Sequence, residues 1–463
     1  MKRFLVAGMC AVIKFLLYCT RINMSIAMIA MVRRRENTTN FSSNDDQLYD
    51  TSIPTYNWDE MTQQIVLGAF YIGYIITPIP GGWFSCCIGG KKALGLVLLC
   101  ECILTALVPI ATEVSINLLI AVRVLDGAVQ GVAFSAIYVL LGKWTVHEER
   151  SIMVSIIYNG ITLSTIVSSH LSGWLCTAYE LGGWPVSFYT YSVFGLVGLV
   201  VWTTLVYETP NTDPFITKKE LELFVSSEER TNVTYSSVPW KAIFTSSAVW
   251  AIVIGYVAFD AAWYFSITEI PIFISSILGF DAKTTGFLTS IPAIARLPVV
   301  LISAACADFI IRRNILSILN TRKLCVIIDL GVAAVCFLII SQVGESLGAF
   351  MVLISITFCA FGFHPPGINT NSLDLSSKYA GIIVGIATTF ASISAFIVPV
   401  ILGKLTENNN TFKQWSFIFI MNAAILLFGM VFFLIFAKGE VQDWSKEDTE
   451  QEQKETTYLI KSE

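Results

Sequence analysis

The chain of 463 residues is long enough for two or three soluble domains, but its composition excludes that organisation. Apolar residues make up 55% of the chain, charged residues only 14%, and the mean hydropathy is +0.68. Soluble proteins carry about 25% charged residues, so this much apolar surface requires a lipid bilayer as its solvent. The net charge of −5 is small, and no basic face is interleaved with aromatic side chains, so we expect no nucleic-acid partner.

The sequence contains no recognisable motif for catalysis, metal binding or nucleotide binding. The eleven cysteines lie mostly inside apolar runs, without the spacing of a zinc site or of a disulfide framework. No nucleophile–base pair and no phosphate-binding glycine loop with its lysine can be recognised. We therefore expect no enzymatic activity, no metal and no other cofactor.

Twelve apolar segments reach the length of about 20 residues that a helix needs to cross the hydrocarbon core. In chain order these predicted spans are 4–32, 61–85, 93–112, 115–141, 151–176, 187–206, 244–269, 279–304, 323–342, 347–368, 379–403 and 414–437. The first span follows a basic start that resembles a signal peptide, but Lys14 and Arg21 interrupt it and no small-residue cleavage site follows. We therefore expect a retained signal anchor and an all-α membrane protein.

Loop charges orient the predicted bundle with both chain ends in the cytosol. Under the positive-inside rule, the loop with Lys91 and Lys92 and the loop with Arg312 belong on the inner side, as do most other basic loops. The basic run at 33–35, directly after the first span, is the exception. The orientation therefore rests on the sum of the loops.

Glycosylation sequons support the same orientation. Asn37 and Asn40 fall in the first outer loop, at about 33–60, and Asn409 falls in the last outer loop. A fourth sequon, at Asn232, lies on the inner side and is expected to stay unmodified. We therefore predict a glycoprotein that carries its carbohydrate on Asn37, Asn40 and Asn409.

A long inner connection divides the predicted spans into two sets of six. Residues 1–206 form the N-terminal half, 207–243 the cytosolic central loop and 244–437 the C-terminal half. A turn that ends in basic residues recurs at equivalent places in the two halves. Two six-helix halves around a site at the midplane are typical of secondary transporters. The polar tail, 438–463, is expected to be disordered and cytosolic.

Charged side chains inside the spans are candidate functional residues, because each costs roughly 2.5–3.5 kcal/mol to insert. They are Lys14, Arg21, Glu101, Arg123, Asp126, His170, Asp260, Glu269, Arg296, Asp329 and His364. Arg21 lies close to Asn23, and a guanidinium beside an amide is suited to binding a carboxylate or phosphate. Arg123 is a second candidate anion contact, although Asp126 could neutralise it locally. Arg296 could instead extend to a membrane interface.

Candidate ion-coupling groups are fewer. Glu269 lies in the seventh span, and a carboxylate in apolar surroundings can exchange protons near neutral pH. The alternative is a carboxylate at a helix end that faces outer water. Asp126 is the second candidate for coupling. His170 and His364 could also titrate, but lone histidines more often serve in packing, and Asp329 receives no role.

Short stretches along the chain, in a fixed order, carry a family resemblance. They are RINMSIA at 21–27, GYIIT at 73–77, IPGG at 79–82, GKW at 142–144, ERS at 149–151, YETP at 207–210, NSLD at 371–374, YAGI at 379–382 and FAKGEV at 436–441. Over roughly 15–445, the chain resembles the anion–cation symporter family, which includes sialin, the vesicular glutamate transporters and the sodium–phosphate cotransporters. The resemblance implies a major facilitator fold that works as a rocker switch.

The resemblance also implies roles for single residues. Arg21 and Arg123 correspond to the anion-binding arginines of the family, and Tyr264 matches a tyrosine of the seventh helix that faces the cavity. With Asn23, they make up the predicted substrate-binding residues.

Four departures from the family pattern bear on specificity and coupling. Gln130 and Tyr138 stand where the fourth helix of the family carries glutamate and histidine, and neither titrates near neutral pH. Phe259 replaces the seventh-helix arginine of the glutamate transporters, and Pro78 stands at a common glutamine. These departures affect positions that bear on glutamate specificity and on the usual proton coupling of the family, and they leave the fold and anion transport largely intact.

The end of the chain resembles a sorting signal. Glu455, Leu459 and Ile460 have the spacing of an acidic dileucine motif, which sorting adaptors bind. An endolysosomal or vesicular membrane and the plasma membrane both remain open.

The leading functional hypothesis is a symporter of small organic anions, such as acidic sugars or acidic amino acids, driven by a proton or sodium gradient through alternating access. The alternative is a sodium-dependent cotransporter of inorganic phosphate or an uncoupled anion facilitator. A sensor that has lost transport is a third hypothesis.

Overall fold

The computed structural model describes residues 2–32, 54–225, 238–280, 282–343, 346–406 and 411–445. Within these ranges, ten helices are long and apolar enough to cross a membrane. An eleventh span is a pair of helices, Met61–Ile76 and Pro78–Ile88, that bend by 53° at Thr77. The apolar stretch Ala380–Ser394 is shorter and belongs to the helix Ala380–Thr406.

The long helices are numbered α1 to α12 in chain order. They are α1 Lys2–Met31, α2 Glu60–Ile76 continued by Pro78–Ile88, α3 Gly90–Val114, α4 Ile116–Trp144, α5 Arg150–Thr177, α6 Trp184–Leu205, α7 Ser247–Ser276, α8 Ala282–Arg312, α9 Ile318–Val343, α10 Leu347–Leu375, α11 Ala380–Thr406 and α12 Phe412–Phe436. Short helices Lys218–Val225 and Trp240–Thr245 lie in the central connection. Every predicted span falls on one of these helices, so the all-α membrane fold is confirmed.

Local sequence explains where several helices begin. Ser115 ends α3, and its hydroxyl accepts a hydrogen bond from the backbone N–H of Leu118 in the first turn of α4. Asp59 caps α2 in the same way, and the hydrogen bond from Thr62 lowers the pKa of that carboxyl. Pro78 cannot donate a backbone hydrogen bond, and it begins the second segment of α2 after the bend.

Among the described residues, buried apolar side chains form three clusters. One lies mainly in the C-terminal half and contains Phe265, Phe337 and Phe419. Two lie mainly in the N-terminal half, one with Trp144 and the other with Trp184, and the first two clusters each include side chains of both halves. Large apolar side chains on the outside are exposed as expected in lipid, among them Ile72, Val200 and Phe428. The exact limits of the two halves and the central loop stay a prediction.

Glycines allow two pairs of helices to approach closely. A Cβ at Gly127 of α4 would lie 1.8 Å from the carbonyl oxygen of Phe70 in α2. A Cβ at Gly385 of α11 would lie 2.4 Å from the carbonyl oxygen of Pro78. The contact at Gly385 joins the two halves. Both positions require glycine, because a Cβ would collide with a backbone oxygen of the neighbouring helix.

A buried charge network closes the end of the bundle at which α1 begins. The Asp374 carboxylate of α10 binds Arg322 of α9 at 2.7 Å and Arg150 of α5 at 3.3 Å. Asp308 of α8 accepts hydrogen bonds from the backbone N–H groups at the start of α5, including that of Ile152 at 2.9 Å. Because these bonds connect the two halves, they close the bundle at the end where α1 begins, which we call the sealed end.

The start of the predicted disordered tail is ordered against this sealed end. The Asn371 side chain donates to the backbone oxygen of Lys438 at 2.8 Å, and the Gln442 N–H donates to Leu375 at 3.0 Å. The prediction of disorder was therefore wrong for 438–445. The remainder of the tail, with Glu455, Leu459 and Ile460, lies outside the described residues.

Candidate functional site

The guanidinium of Arg21 lies between the two halves in a ring of aromatic side chains. Its Nη2 donates to the hydroxyl of Tyr264 in α7 at 3.3 Å. Four aromatic rings of the N-terminal half lie within 5.5 Å of its central carbon, those of Tyr18, Phe70, Tyr71 and Tyr74. Cation–π attraction helps to hold the charge in place, and the charge also acts on the Asp260 carboxyl group of α7.

Arg21 retains hydrogen-bonding capacity. The side chain is half-buried, and its Nη1 has no hydrogen-bond partner among the residues that the structure describes. A positioned guanidinium with a free N–H edge is suited to bidentate binding of a carboxylate or phosphate. The structure thus brings together two of the predicted substrate-binding residues, Arg21 and Tyr264.

Asn23 is not part of this arrangement. Its side chain is fully buried, and neither its oxygen nor its nitrogen has a hydrogen-bond partner within the described part of the chain. Two residues along a helix lie about 200° apart, so Asn23 and Arg21 face different directions. The structure therefore does not bring Asn23 together with Arg21, and a role for Asn23 in substrate binding stays a prediction.

Arg123 forms a salt bridge within its own helix, in agreement with the alternative that Asp126 neutralises it. Its Nη1 binds the Asp126 carboxylate three residues later on α4, and the two residues are each 4% exposed. The ring of Phe70 lies 5.1 Å from the guanidinium carbon. Nε of Arg123 has no hydrogen-bond partner in the described chain, so the guanidinium keeps a donor besides the one that binds Asp126.

Gln130 connects Asp126 to a second buried carboxylate that the sequence reasoning left without a role. Its Nε2 lies 2.8 Å from Oε1 of Glu101 in α3 and 3.3 Å from Oδ1 of Asp126. The hydroxyl of Thr20 in α1 also donates to Glu101. Glu101 is 2% exposed, and its Oε2 has no hydrogen-bond partner in the described chain.

This contact gives Gln130 a carboxylate partner on the neighbouring helix. Gln130 stands where the family resemblance places a glutamate, and Glu101 of α3 lies within hydrogen-bond distance of it. The glutamate inside the third predicted span was the signal that the sequence offered. Only the packing of α3 against α4 brings it to Gln130.

Glu269 lies apart from that pair. It is half-buried on α7, and the contact found for its carboxylate is the hydroxyl of its neighbour Thr268 at 3.2 Å. The structure therefore does not bring the two predicted coupling residues, Asp126 and Glu269, together. His170 is exposed on α5, where its ring contacts the backbone oxygen of Ile166.

The C-terminal half contains another polar cluster, at residues that the sequence analysis weighed only singly. Nδ1 of His364 lies 2.9 Å from Oδ2 of Asp329, and Phe259 stacks on the imidazole with ring centroids 3.5 Å apart. Arg296 is buried rather than extended to an interface, and it donates to Thr162 of α5 at 2.7 Å. No spacing in the sequence pairs these residues.

Three predicted sites cannot be placed. The sequons at Asn37, Asn40 and Asn409 lie outside the described residues. Among the residues that are described, no group of three or more His, Cys, Asp or Glu side chains could hold a metal ion.

Comparison with known proteins agrees with this architecture. The family model for the Major Facilitator Superfamily matches residues 11–399. Sialin of Homo sapiens is 35% identical over 445 residues, which cover 94% of this chain and 89% of that protein. Sodium-dependent phosphate transport protein 3 of Mus musculus is 30% identical over 452 residues, with coverage of 94% and 93%.

A solved structure shows the same fold. The proton:xylose symporter bound to 6-bromo-6-deoxy-D-glucose superposes with a TM-score of 0.69, covering 96% of this chain and 98% of that one. The sequence identity is 12%, so this similarity supports the fold alone.

Proposed function

The chain belongs to the Major Facilitator Superfamily and is a multi-pass membrane transporter rather than an enzyme, and we propose that it carries small organic anions by symport with a proton or sodium ion. Acidic sugars and acidic amino acids are the proposed substrates, moved by alternating access of the two halves. The relatives at 30–35% identity also place the chain in the anion–cation symporter family that its motifs resemble.

The observation that carries this proposal is the free edge of Arg21. The guanidinium lies where the halves meet, and the hydroxyl of Tyr264 orients it from the opposite half. An anion bound to Nη1 would contact both halves at once, because Tyr264 already bridges them. Closure around the anion then replaces water with charge-assisted hydrogen bonds, which are about twice as strong as neutral ones.

The buried pair of Glu101 and Asp126 supports coupling to a cation. Gln130 Nε2 lies within hydrogen-bond distance of both carboxylates and Thr20 also donates to Glu101, while among the described residues Arg123 is the cation that forms a salt bridge with the pair. If both carboxylates were ionised, one negative charge would remain without a partner in the membrane interior, which is costly. We propose that the coupling proton binds here. Glu269 keeps its predicted role only as a proposal.

Inorganic phosphate is the second candidate substrate. One relative at 30% identity is named a sodium-dependent phosphate transport protein, and a guanidinium binds phosphate as well as carboxylate. An uncoupled facilitator or a sensor without transport would share the fold, so flux and its driving gradient decide between them.

The location of the protein is part of the proposal. Relatives include sialin and vesicular transporters, which supports an endolysosomal or vesicular membrane over the plasma membrane. We propose cytosolic termini, carbohydrate on Asn37, Asn40 and Asn409, and sorting adaptors bound near Leu459 and Ile460.

The test is uptake into liposomes that contain the purified protein. Labelled sialic acid, glutamate, aspartate and phosphate are each supplied with a proton gradient, a sodium gradient or neither. Saturable uptake of a carboxylate that follows one gradient supports organic-anion symport, and sodium-driven phosphate uptake supports the second candidate. Uptake that ignores both gradients indicates a facilitator. Folded protein that moves none of the four anions contradicts the proposed substrate class.

Arg21→Ala tests the site itself. The expected result is loss of uptake with unchanged folding, and Arg313→Ala, at an exposed arginine beyond α8, is the matched control. Undiminished uptake in Arg21→Ala would remove Arg21 from the mechanism.

A further inference from the structure

His364 and Asp329 form a fully buried pair on α10 and α9, helices that the proposed anion contacts do not use. Their side chains are 1% and 0% exposed, and the imidazole Nδ1 lies 2.9 Å from the carboxylate. In the described part of the chain, the second carboxylate oxygen, Oδ1 of Asp329, has no hydrogen-bond partner. A carboxylate beside an imidazole in an apolar interior can hold a proton that neither group would hold alone.

Both side chains lie in or directly beside a π-helical turn. Asp329 belongs to the π-helical turn Ile327–Val332 within α9. His364 directly precedes the π-helical turn Pro365–Asn369 within α10, where two consecutive prolines lack backbone donors. A π-helical turn inserts a residue into an α-helix, redirects nearby side chains and is frequent at functional sites. Two such turns meeting at one ion pair indicate a role beyond packing.

Arg296 connects the pair to the opposite half. Its Nη1 donates to the Thr162 hydroxyl of α5 at 2.7 Å, and its guanidinium lies 4.5 Å from the ring centroid of Trp263. Its charge interacts with both Asp329 and His364. Arg296 therefore has a counter-charge in its own half and a hydrogen-bond acceptor in the other.

The remaining groups around the pair carry no charge near neutral pH. Those that face it from packed helices are Tyr158 of α5, Tyr256 and Phe259 of α7, and Cys325 of α9. Asp260 follows Phe259 on α7, and the charge of Arg21 acts on it. Among the described residues, the charge of the cluster is thus set by Arg296, Asp329 and His364.

We propose that His364 and Asp329 form a proton-binding site in the C-terminal half, and that its proton controls the hydrogen bond by which Arg296 ties this half to Thr162. Without the proton, Asp329 is the counter-charge of Arg296 and draws the guanidinium toward its own half. A proton on the imidazole gives Asp329 a nearer cation, and Arg296 then remains on Thr162. The site is separate from the Glu101 and Asp126 pair and does not depend on which anion is carried.

The first test observes the proton directly. The chain has three histidines, so the double substitution of His147→Gln and His170→Gln leaves His364 as the only imidazole. The full-length protein is labelled with nitrogen-15 histidine and placed in lipid nanodiscs for nuclear magnetic resonance. The expected ring signals change from the charged to the neutral form between pH 5 and 8.5. Asp329→Asn, which preserves shape, should shift the midpoint by about one pH unit or more. A single ring form across this range, or a midpoint that Asp329→Asn leaves unchanged, overturns the proposal.

The second test observes the connection between the halves. Nitroxide-bearing noncanonical residues replace Val114 at the end of α3 and Val343 at the end of α9, both exposed and opposite the sealed network. Pulsed electron paramagnetic resonance then gives their distance distribution at pH 5.5 and 8.5. Thr162→Val and His364→Gln should reduce the pH-dependent shift equally, while Ser169→Ala, at an exposed serine of α5, retains it.

The pH-dependent change in the distance between the labels could persist undiminished in folded His364→Gln and Thr162→Val protein. That result would overturn the proposed control of the Arg296–Thr162 hydrogen bond by the proton. Both measurements are made without substrate. A protein that transports none of the tested anions can therefore still support this site, and failure of this site leaves the anion proposal intact.

Discussion

The side chains of Arg21 and Tyr264, 243 positions apart in the chain, join the two halves through a hydrogen bond of 3.3 Å at the centre of the bundle. The bond uses one edge of the guanidinium and leaves Nη1 free. Under the proposed function, an anion that reaches Arg21 would meet a guanidinium whose orientation is already set by Tyr264. The hydroxyl of Tyr264 acts as a positioning group for Arg21.

Tyr264→Phe tests that positioning. The ring stays, but Arg21 loses its orienting acceptor, and hydrogen bonds to charged groups contribute about 1.5–3 kcal/mol. We expect the KM for anion uptake to rise by about tenfold or more, with a smaller change in the maximal rate. Tyr189→Phe, at an exposed tyrosine of α6, is the control and should leave both values unchanged. Equal kinetics for Tyr264→Phe and the unsubstituted protein would contradict the positioning role.

Glu101→Gln tests the buried carboxylate pair. The substitution keeps the shape and the hydrogen bonds near Thr20 but removes one ionisable group. We expect gradient-driven accumulation to fall by about tenfold, while exchange of labelled for unlabelled anion across the liposome continues, because exchange requires no net proton movement. The measurement compares the two modes in the same liposomes.

Glu113→Gln is the matched control for that prediction, since Glu113 is an exposed residue near the end of the same helix. It should accumulate substrate normally. Accumulation that survives Glu101→Gln would exclude Glu101 from coupling and redirect attention to Asp126 alone or to Glu269.

Asp374→Ala tests the sealed end. Asp374 is 2% exposed and neutralises Arg322 and Arg150, which are 0% and 1% exposed. Removing the carboxylate takes away the salt bridges that it forms with two buried cations, which destabilises by about 3–5 kcal/mol. We expect a clear drop in melting temperature and faster labelling of residues near the seal by a water-soluble reagent. Glu180→Ala, at an exposed loop carboxylate, should change neither quantity.

Gly127→Ala tests the close approach of α4 and α2. The added Cβ would meet the backbone carbonyl of Phe70 at 1.8 Å, and a backbone atom in a packed helix cannot move aside without shifting the helix. We expect reduced folded yield and a lower melting temperature. Gly8→Ala in α1 meets nothing within 4 Å and should be neutral or slightly stabilising. Equal stability of the two variants would show that the approach is not required.

Apolar length and loop charge were sufficient to predict the helices. The predicted seventh span, 244–269, corresponds to α7 at Ser247–Ser276, and the eighth, 279–304, to α8 at Ala282–Arg312. Both helices run beyond the predicted ends, to Ser276 and Arg312, because a helix can be longer than the segment of about 20 residues that crosses the hydrocarbon core. The bend at Thr77 was also open to prediction, since a proline follows it directly.

Local sequence could identify Arg123 with Asp126, because helix geometry places residues three apart side by side. Arg21 could be selected because a charge in the membrane interior is costly. Neither argument could supply Tyr264 as the partner of Arg21 without the family resemblance, since the two residues lie in different halves. The disorder predicted for the tail failed at 438–445 because composition does not show which polar residues pack against the rest of the protein.

The sequence by itself determined the membrane environment, the order of the helices and the charged residues that need an explanation, because hydropathy and helical spacing act over short stretches of chain. Only the tertiary structure decided which of those charges meet. Glu101 reaches Asp126 through Gln130, and His364 reaches Asp329, because packing sets which faces of two neighbouring helices lie against each other. Burial without water then requires each charge to find a partner, and the fold selects it.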